Sequence, residues 1–143
     1  MKRDYPDRPI VGVGAVIVDG DRALVVRRAT EPLKGQWSIP GGVLELGETL
    51  RAGAAREALE ETGLKVEVGE VLEVVDRIIP DDEGKTRYHY VLVDFLCRRI
   101  AGEARAGSDV SAVRWVSRTE LRTFDIAESA AEVIRKGFAR SEK

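Results

Sequence analysis

A chain of 143 residues with 23 basic and 25 acidic side chains and a formal net charge of -2 suits one domain, able to bury roughly two-thirds of its unfolded surface. The charges are interspersed, which excludes the basic footprint of a nucleic-acid or membrane-surface binder. Cys97 is the only cysteine, which excludes an intrachain disulfide framework and a cysteine-based zinc site and fits a reducing compartment. The opening MKRDYPDRP lacks the apolar run of a signal peptide, and no apolar stretch approaches the roughly 18 residues of a membrane span, so the expected location is cytoplasmic. The polar tails, residues 1–8 and 139–143, are expected to be the least ordered parts.

Ile10 to Val18 and Arg22 to Arg28 are apolar, β-branched runs split by the turn cluster Asp19-Gly20-Asp21, and they read as a hairpin that opens a sheet. Trp37 to Ile39 adds a short strand, after which Pro40-Gly41-Gly42 is expected to break regular structure. A helix follows from Thr49 or Leu50 to Thr62, with Thr49 as N-cap and Gly63 as its left-handed terminator. Lys65 to Ile79 and Thr86 to Arg98 read as long strands joined by Pro80-Asp81-Asp82-Glu83-Gly84, and Ala112 to Val116 as a short one. Ser117 to Glu120 has the pattern of a capping box that opens a short helix, and Asp125 to Glu128 resembles one that opens the last. That final helix places Ile126, Ala130, Ile134 and Phe138 on one stripe. Strands interrupted by one helix, with another at the end, predict an α/β domain with a mixed sheet between helices.

The segment REALEETGL crowds Glu57, Glu60 and Glu61 into one turn of the predicted helix, close behind Glu45 and Glu48. Like charges three and four residues apart repel by a few tenths of a kcal/mol per pair. At about 100° per residue from Leu50, Ala54, Ala58 and Ala55 fall near about 40°, 80° and 140°, and Glu57, Glu60 and Glu61 near about 340°, 280° and 20°. Glu61 therefore stands inside the edge of the buried stripe, where a carboxylate needs a partner. Arg56 alone does not neutralise three carboxylates. The plain alternative is a solvated acidic helix face. A hard divalent cation would instead convert the repulsion into a preorganised site, since Mg2+ prefers carboxylate and carbonyl oxygens and bridges to substrate phosphates.

The stretch Gly42 to Leu64 resembles the Nudix box, G-x5-E-x7-R-E-U-x-E-E-x-G-U with U aliphatic. Gly42, Glu48, Arg56, Glu57, Glu60, Glu61, Gly63 and Leu64 all fall in register. The one departure is Ala58, where the family usually carries Leu, Ile or Val; a smaller side chain alters packing but removes no ligand. The resemblance implies a single Nudix domain over residues 1–143, an α/β/α sandwich whose box forms the catalytic platform. It further implies that Glu57, Glu60 and Glu61, with the Gly41 carbonyl, hold Mg2+ or Mn2+. Arg56 is expected to orient a box glutamate, Glu48 to tie the loop to the helix or to the metal network, and Gly42 and Gly63 to shape the box. The implied reaction is hydrolysis of a diphosphate linkage, with Glu57 or a later acid, Asp109, as general base; a turn residue is the plain reading of Asp109.

Around the box, Arg27 and Arg28 either reach substrate phosphates or form a polar strand end. Trp37 either stacks on a base or packs in the core. Asp94, an acid inside YVLVDFLC, reads as a structural hydrogen-bonding group, and His89, the sole histidine, as a structural strand residue. Gly12 and Gly14 are too little for a dinucleotide fingerprint. Pro80 lies 16 residues beyond Leu64, similar to the spacing at which Nudix enzymes that hydrolyse ADP-ribose carry a proline, although the turn alone accounts for it. Its loop is expected at the mouth of the site, where specificity resides, with Arg77, Arg87 and Tyr88 near a terminal ribose or phosphate. The reading is thus a metal-dependent hydrolase of a nucleoside diphosphate derivative, ADP-ribose or another nucleoside diphosphate sugar first. The alternatives are a nucleoside triphosphate pyrophosphohydrolase and a non-catalytic nucleotide sensor. The intact set of glutamates favours an enzyme. The expected partner is a small nucleotide, with neither nucleic acid nor membrane, and the expected assembly a monomer or homodimer.

Overall fold

The first strand, β1 (Ile10–Asp19), is built so that alternate side chains serve two cores. Val13, Ala15 and Ile17 turn to one face of the sheet and Val16 and Val18 to the other, as the two-residue period of a strand requires. In the computed structural model, which describes residues 2–31 and 33–142, β1 is the centre of a mixed sheet. It pairs in parallel with β6 (Thr86–Ala101) and antiparallel with β2 (Arg22–Arg28) and β4 (Gly41–Val43). β3 (Trp37–Ser38) and β7 (Val110–Ser117) join β2, and β5 (Lys65–Pro80) joins β6, in the order β3-β2-β1-β6-β5 with β4 on β1 and β7 on β2.

Helix α1 (Leu50–Thr62) covers one face. Thr49 Oγ1 accepts the Ala52 N–H at 3.1 Å, and Gly63 ends the helix with φ 74°, both as the sequence predicts. Its buried side is made of small residues, Gly53, Ala54 and Ala58, together with Glu61 and Thr62. The alanines let the helix close onto Val13, Ala15, Ile17, Val93 and Phe95, and this close approach brings the acidic turn up to β4. Leu50, from which the helix angles were counted, is exposed at the helix start.

Helices α2 (Arg118–Leu121) and α3 (Glu128–Ser141) cover the other face, with Leu121, Ala131, Val133, Ile134 and Phe138 packed on Val16, Val18 and Val25. Full burial of each large apolar side chain contributes about 1.5–3 kcal/mol. The α/β/α sandwich expected from the sequence is therefore observed. Ser117 and Glu120 form the expected capping box.

Two expectations are corrected. Gly41 and Gly42 do not break the sheet but pair with Gly14 and Val13; a Cβ on Gly41 would overlap the Val13 carbonyl and stand 3.0 Å from Gly14 Cα, so the strand forms because glycine is there. Asp125 caps nothing. Ile126 bridges to Trp37, which holds the chain extended there, and α3 starts after Ala127 without a side-chain cap. The long strands also run further than expected, through Pro80 and Ala101, and β7 begins at Val110.

Of the two tails, Met1 and Lys143 lie outside the described residues. Tyr5 donates its N–H to the Arg87 carbonyl at 2.8 Å and its hydroxyl to Asp81 at 2.7 Å, while α3 continues through Ser141. Among the described residues no helix is long and apolar enough to cross a membrane.

Candidate active site

The loop into α1 is anchored by one guanidinium. Arg56 grips Glu48 with two donors, Nε to Oε2 at 2.6 Å and Nη2 to Oε1 at 2.9 Å, the fork geometry that makes arginine suited to carboxylates. Its Nη1 bonds Glu57 Oε1 at 2.8 Å and Glu60 Oε2 at 3.2 Å, and Nη2 reaches the Val43 carbonyl at 3.1 Å. Arg56 thus lies within hydrogen-bond distance of Glu48, Glu57 and Glu60, more carboxylates than the sequence reading allowed it. The hydrogen bonds from Arg56 hold the Glu48 carboxyl below its usual range.

Glu61 is turned inward, 5% exposed, and its Oε1 accepts the Gly41 N–H at 2.9 Å. Burial pushes its pKa up to about 8, with Asp109 and Glu57 adding to the rise. Burial also raises Glu57. Asp109 reaches them because its loop is tied to the end of α1: Gly107 donates its N–H to the Glu61 carbonyl at 3.0 Å, and the following Ser108 takes φ 54°. Glu57 lies over Gly42, where a Cβ would stand 2.5 Å from its Cδ. The second glycine of the pair is therefore the floor of a carboxylate cradle.

These groups line a cavity of about 500 Å3 with Gly41, Gly42, Glu57, Glu60, Glu61 and Asp109 on its walls. Among the described residues no three acidic side chains converge closely enough to enclose an ion unaided. A divalent ion there would have to draw part of its shell from water or substrate phosphate, as Mg2+ does. The donors are all oxygens, and the Glu57 and Glu61 carboxyls are raised first by burial and then by neighbouring acids, a charge cost that a cation would lower. The residues present fit a divalent ion.

A second, larger cavity of about 590 Å3 opens beside the first on the α3 side of the sheet. Ile39, Val75 and Leu92 give it apolar walls, Tyr88 and Tyr90 an aromatic flank, and Asp94 a carboxyl. The two cavities share Arg3, Arg28, Gly41, Gly42 and Val43. Of the predicted substrate residues, Arg28 lies at this junction, and Arg77 and Tyr88 line the larger cavity. Arg27 does not line either; its Nε donates to the Gly35 carbonyl. Trp37 packs edge-on against Phe124, with ring centroids 5.2 Å apart, which is the core alternative. Pro80 closes β5 opposite Thr86, and Arg87 pairs with Asp4 at 3.0 Å; neither lines either of these two cavities. His89 sits opposite Ile78, one residue out of phase with the lining residues Tyr88 and Tyr90, in keeping with a structural role.

Sequence reasoning missed Asp94 as a cavity residue and gave it a hydrogen bond that the structure does not supply. Tyr90 was missed as well. The signal was present: Tyr88, Tyr90, Leu92 and Asp94 share one side of a strand.

The chain belongs to the Nudix family of hydrolases: the NUDIX domain model matches residues 8–137. The ADP-ribose pyrophosphatase of Methanocaldococcus jannaschii is 33% identical over 113 residues, 79% of this chain and 64% of that protein, so the chain spans somewhat under two-thirds of that relative. A Mycobacterium tuberculosis protein provisionally named 8-oxo-dGTP diphosphatase 2 is 40% identical over 116 residues, 79% of this chain and 77% of its own length. The crystal structure of a MutT NUDIX hydrolase from Burkholderia pseudomallei superposes with a TM-score of 0.78 at 29% identity, covering 91% of this chain and 98% of that one.

Proposed function

We propose that the protein hydrolyses the diphosphate linkage of a nucleoside diphosphate derivative, with ADP-ribose the leading substrate and Mg2+ or Mn2+ the ion. The observation that carries this reading is the shared wall of the two cavities. A diphosphate placed at Gly41 and Gly42 has the carboxylates on one side and a large, partly apolar chamber for its organic substituent on the other. The Methanocaldococcus relative's name supports the substrate.

Glu57, Glu60, Glu61 and the Gly41 carbonyl would hold the ion. When bound, it would neutralise phosphate oxygens, lower the pKa of a water and stabilise the leaving phosphate. Arg56 fixes the direction of Glu57 and Glu60, and Glu48 fixes Arg56. Arg28, at the junction, is placed to meet phosphate. Glu57 and Asp109 are the two candidates for accepting a proton from the attacking water. The reading carries with it a cytoplasmic enzyme of small molecules, monomeric or homodimeric.

Purified protein with Mg2+ is expected to split ADP-ribose and water into AMP and ribose 5-phosphate, with kcat/KM well above that for any nucleoside triphosphate. The Mycobacterium relative's name favours a second reading, a triphosphate pyrophosphohydrolase. Faster turnover of triphosphates with release of pyrophosphate would establish that reading and reject ADP-ribose, while leaving the metal site intact.

A further inference from the structure

Asp94 is 8% exposed, yet it lines the larger cavity. Among the described residues its carboxyl makes no hydrogen bond; the charges that act on it are Glu73, which repels it, and Arg77, which attracts it. Both neighbours are engaged elsewhere, Glu73 with Lys136 and Arg77 with Ser129. Among the described residues no fully buried side-chain oxygen lacks a hydrogen bond, so the unpaired Asp94 carboxyl is open to the cavity, whereas a group kept for structure alone would be expected to have a partner. The backbone has made room for this one. Gly14 stands opposite Asp94 in the β1–β6 pairing, and a Cβ at residue 14 would overlap Asp94 Oδ1.

Position adds a second argument. Gly41, Gly14 and Asp94 form one row across β4, β1 and β6, so Asp94 lies two strand spacings, about 10 Å, from the diphosphate position. One nucleoside covers that span. The lining sets apolar Ile39 and Leu92 beside polar Gln36 and Ser38, and Tyr88 and Tyr90 stand nearly parallel, 15° apart, on the same side of β6. The apolar side chains and the tyrosine rings suit the faces of a planar heterocycle, which would bring its polar edge to Asp94.

We propose that Asp94 is a specificity-determining residue, its carboxyl accepting hydrogen bonds from the amine-bearing edge of the substrate's nucleobase. The proposal rests on the nucleotide hydrolase reading above. An ionised carboxylate only accepts, so it matches bases with an exocyclic amine. It disfavours uracil, whose single edge N–H is flanked by two carbonyl oxygens.

The test is binding of AMP, GMP, CMP and UMP to wild type and Asp94→Asn by isothermal titration, with melting curves to verify folding. One of the amine-bearing nucleotides is expected to bind tightest to wild type. Asp94→Asn keeps one acceptor but loses the charge, so it is expected to weaken that nucleotide severalfold to about tenfold, since charge-assisted hydrogen bonds are roughly twice as strong as neutral ones, and to leave UMP no weaker, because the new amide N–H can donate to a uracil carbonyl. Tightest binding of UMP, equal losses for all four, no loss, or no binding to wild type overturns the assignment, and the wild-type arm decides even where the variant does not fold. A loss seen with AMP but absent with 2′-deoxy-AMP assigns the carboxyl to ribose and also overturns it. Turnover is measured separately: base-selective binding without hydrolysis of any nucleoside diphosphate derivative rejects the proposed function and leaves the role of Asp94 standing.

Discussion

The Glu57 carboxylate occupies the space that a side chain on Gly42 would fill, since a Cβ there would stand 2.5 Å from both Glu57 Cδ and Oε1. Glycine is thus needed at this position for the carboxylate rather than for a turn. Gly42→Ala is expected to fold, because the overlapping atoms belong to the end of a side chain, but to displace Glu57 by about an ångström. Misplacement on that scale costs on the order of a hundredfold in rate. Steady-state kinetics at saturating Mg2+ should show the fall in kcat, with a melting temperature within a few degrees of wild type. Unchanged kcat would mean that Glu57 has no need of the cradle.

The box was legible because its signals are local. Thr49 and Gly63 declare the helix ends by their own chemistry, and the spacing of Glu57, Glu60 and Glu61 places them on the helix without knowledge of the sheet. Gly41 to Val43 was not legible as a strand, because glycines carry no strand pattern and what permits the pairing is Gly14 on another strand. Asp125 has the sequence of a cap, but the Trp37–Ile126 bridge decides where α3 begins. The alternation of Tyr88, Tyr90, Leu92 and Asp94 put Asp94 on one side of its strand, but only the register of β6 against β1 and β5 shows that this side faces a cavity.

Glu61→Gln should remove most activity. A neutral amide is a poorer ligand for a hard cation, and loss of charge stabilisation in a transition state usually costs about a hundredfold or more. The variant should nevertheless fold at least as well as wild type without metal, because burial already disfavours the Glu61 charge. Wild-type turnover by Glu61→Gln at saturating Mg2+ would remove Glu61 from the metal site.

Divalent ions should stabilise the fold by mass action. At a free Mg2+ concentration about one hundred times its Kd, the gain is about 2.7 kcal/mol, or roughly 5–10 °C in Tm for a domain of this size. EDTA should reverse it. The shift should shrink in Glu57→Gln and in Glu60→Gln, each of which removes a carboxylate facing the smaller cavity. A solvated acidic face would give no shift in wild type at millimolar Mg2+, and that result would restore the plain reading of the helix.

Asp94 should leave its own signature in the pH dependence of stability. Burial raises its pKa from 3.8 in the unfolded chain to about 6 in the folded protein. Between those values the folded state binds more protons than the unfolded one, so stability falls as pH rises. The contribution is fully present below about 3.8 and is lost as pH rises through about 6; a shift of this size corresponds to at most about 3 kcal/mol. Asp94→Asn carries no titrating group at this position, so the difference in unfolding free energy between the two proteins isolates the effect from the other acids. Urea titrations from pH 4.5 to 8 should show the variant gaining on wild type as pH rises through 6, then running parallel to it. A difference that stays flat across this range would mean that the Asp94 carboxyl titrates as if it were in water.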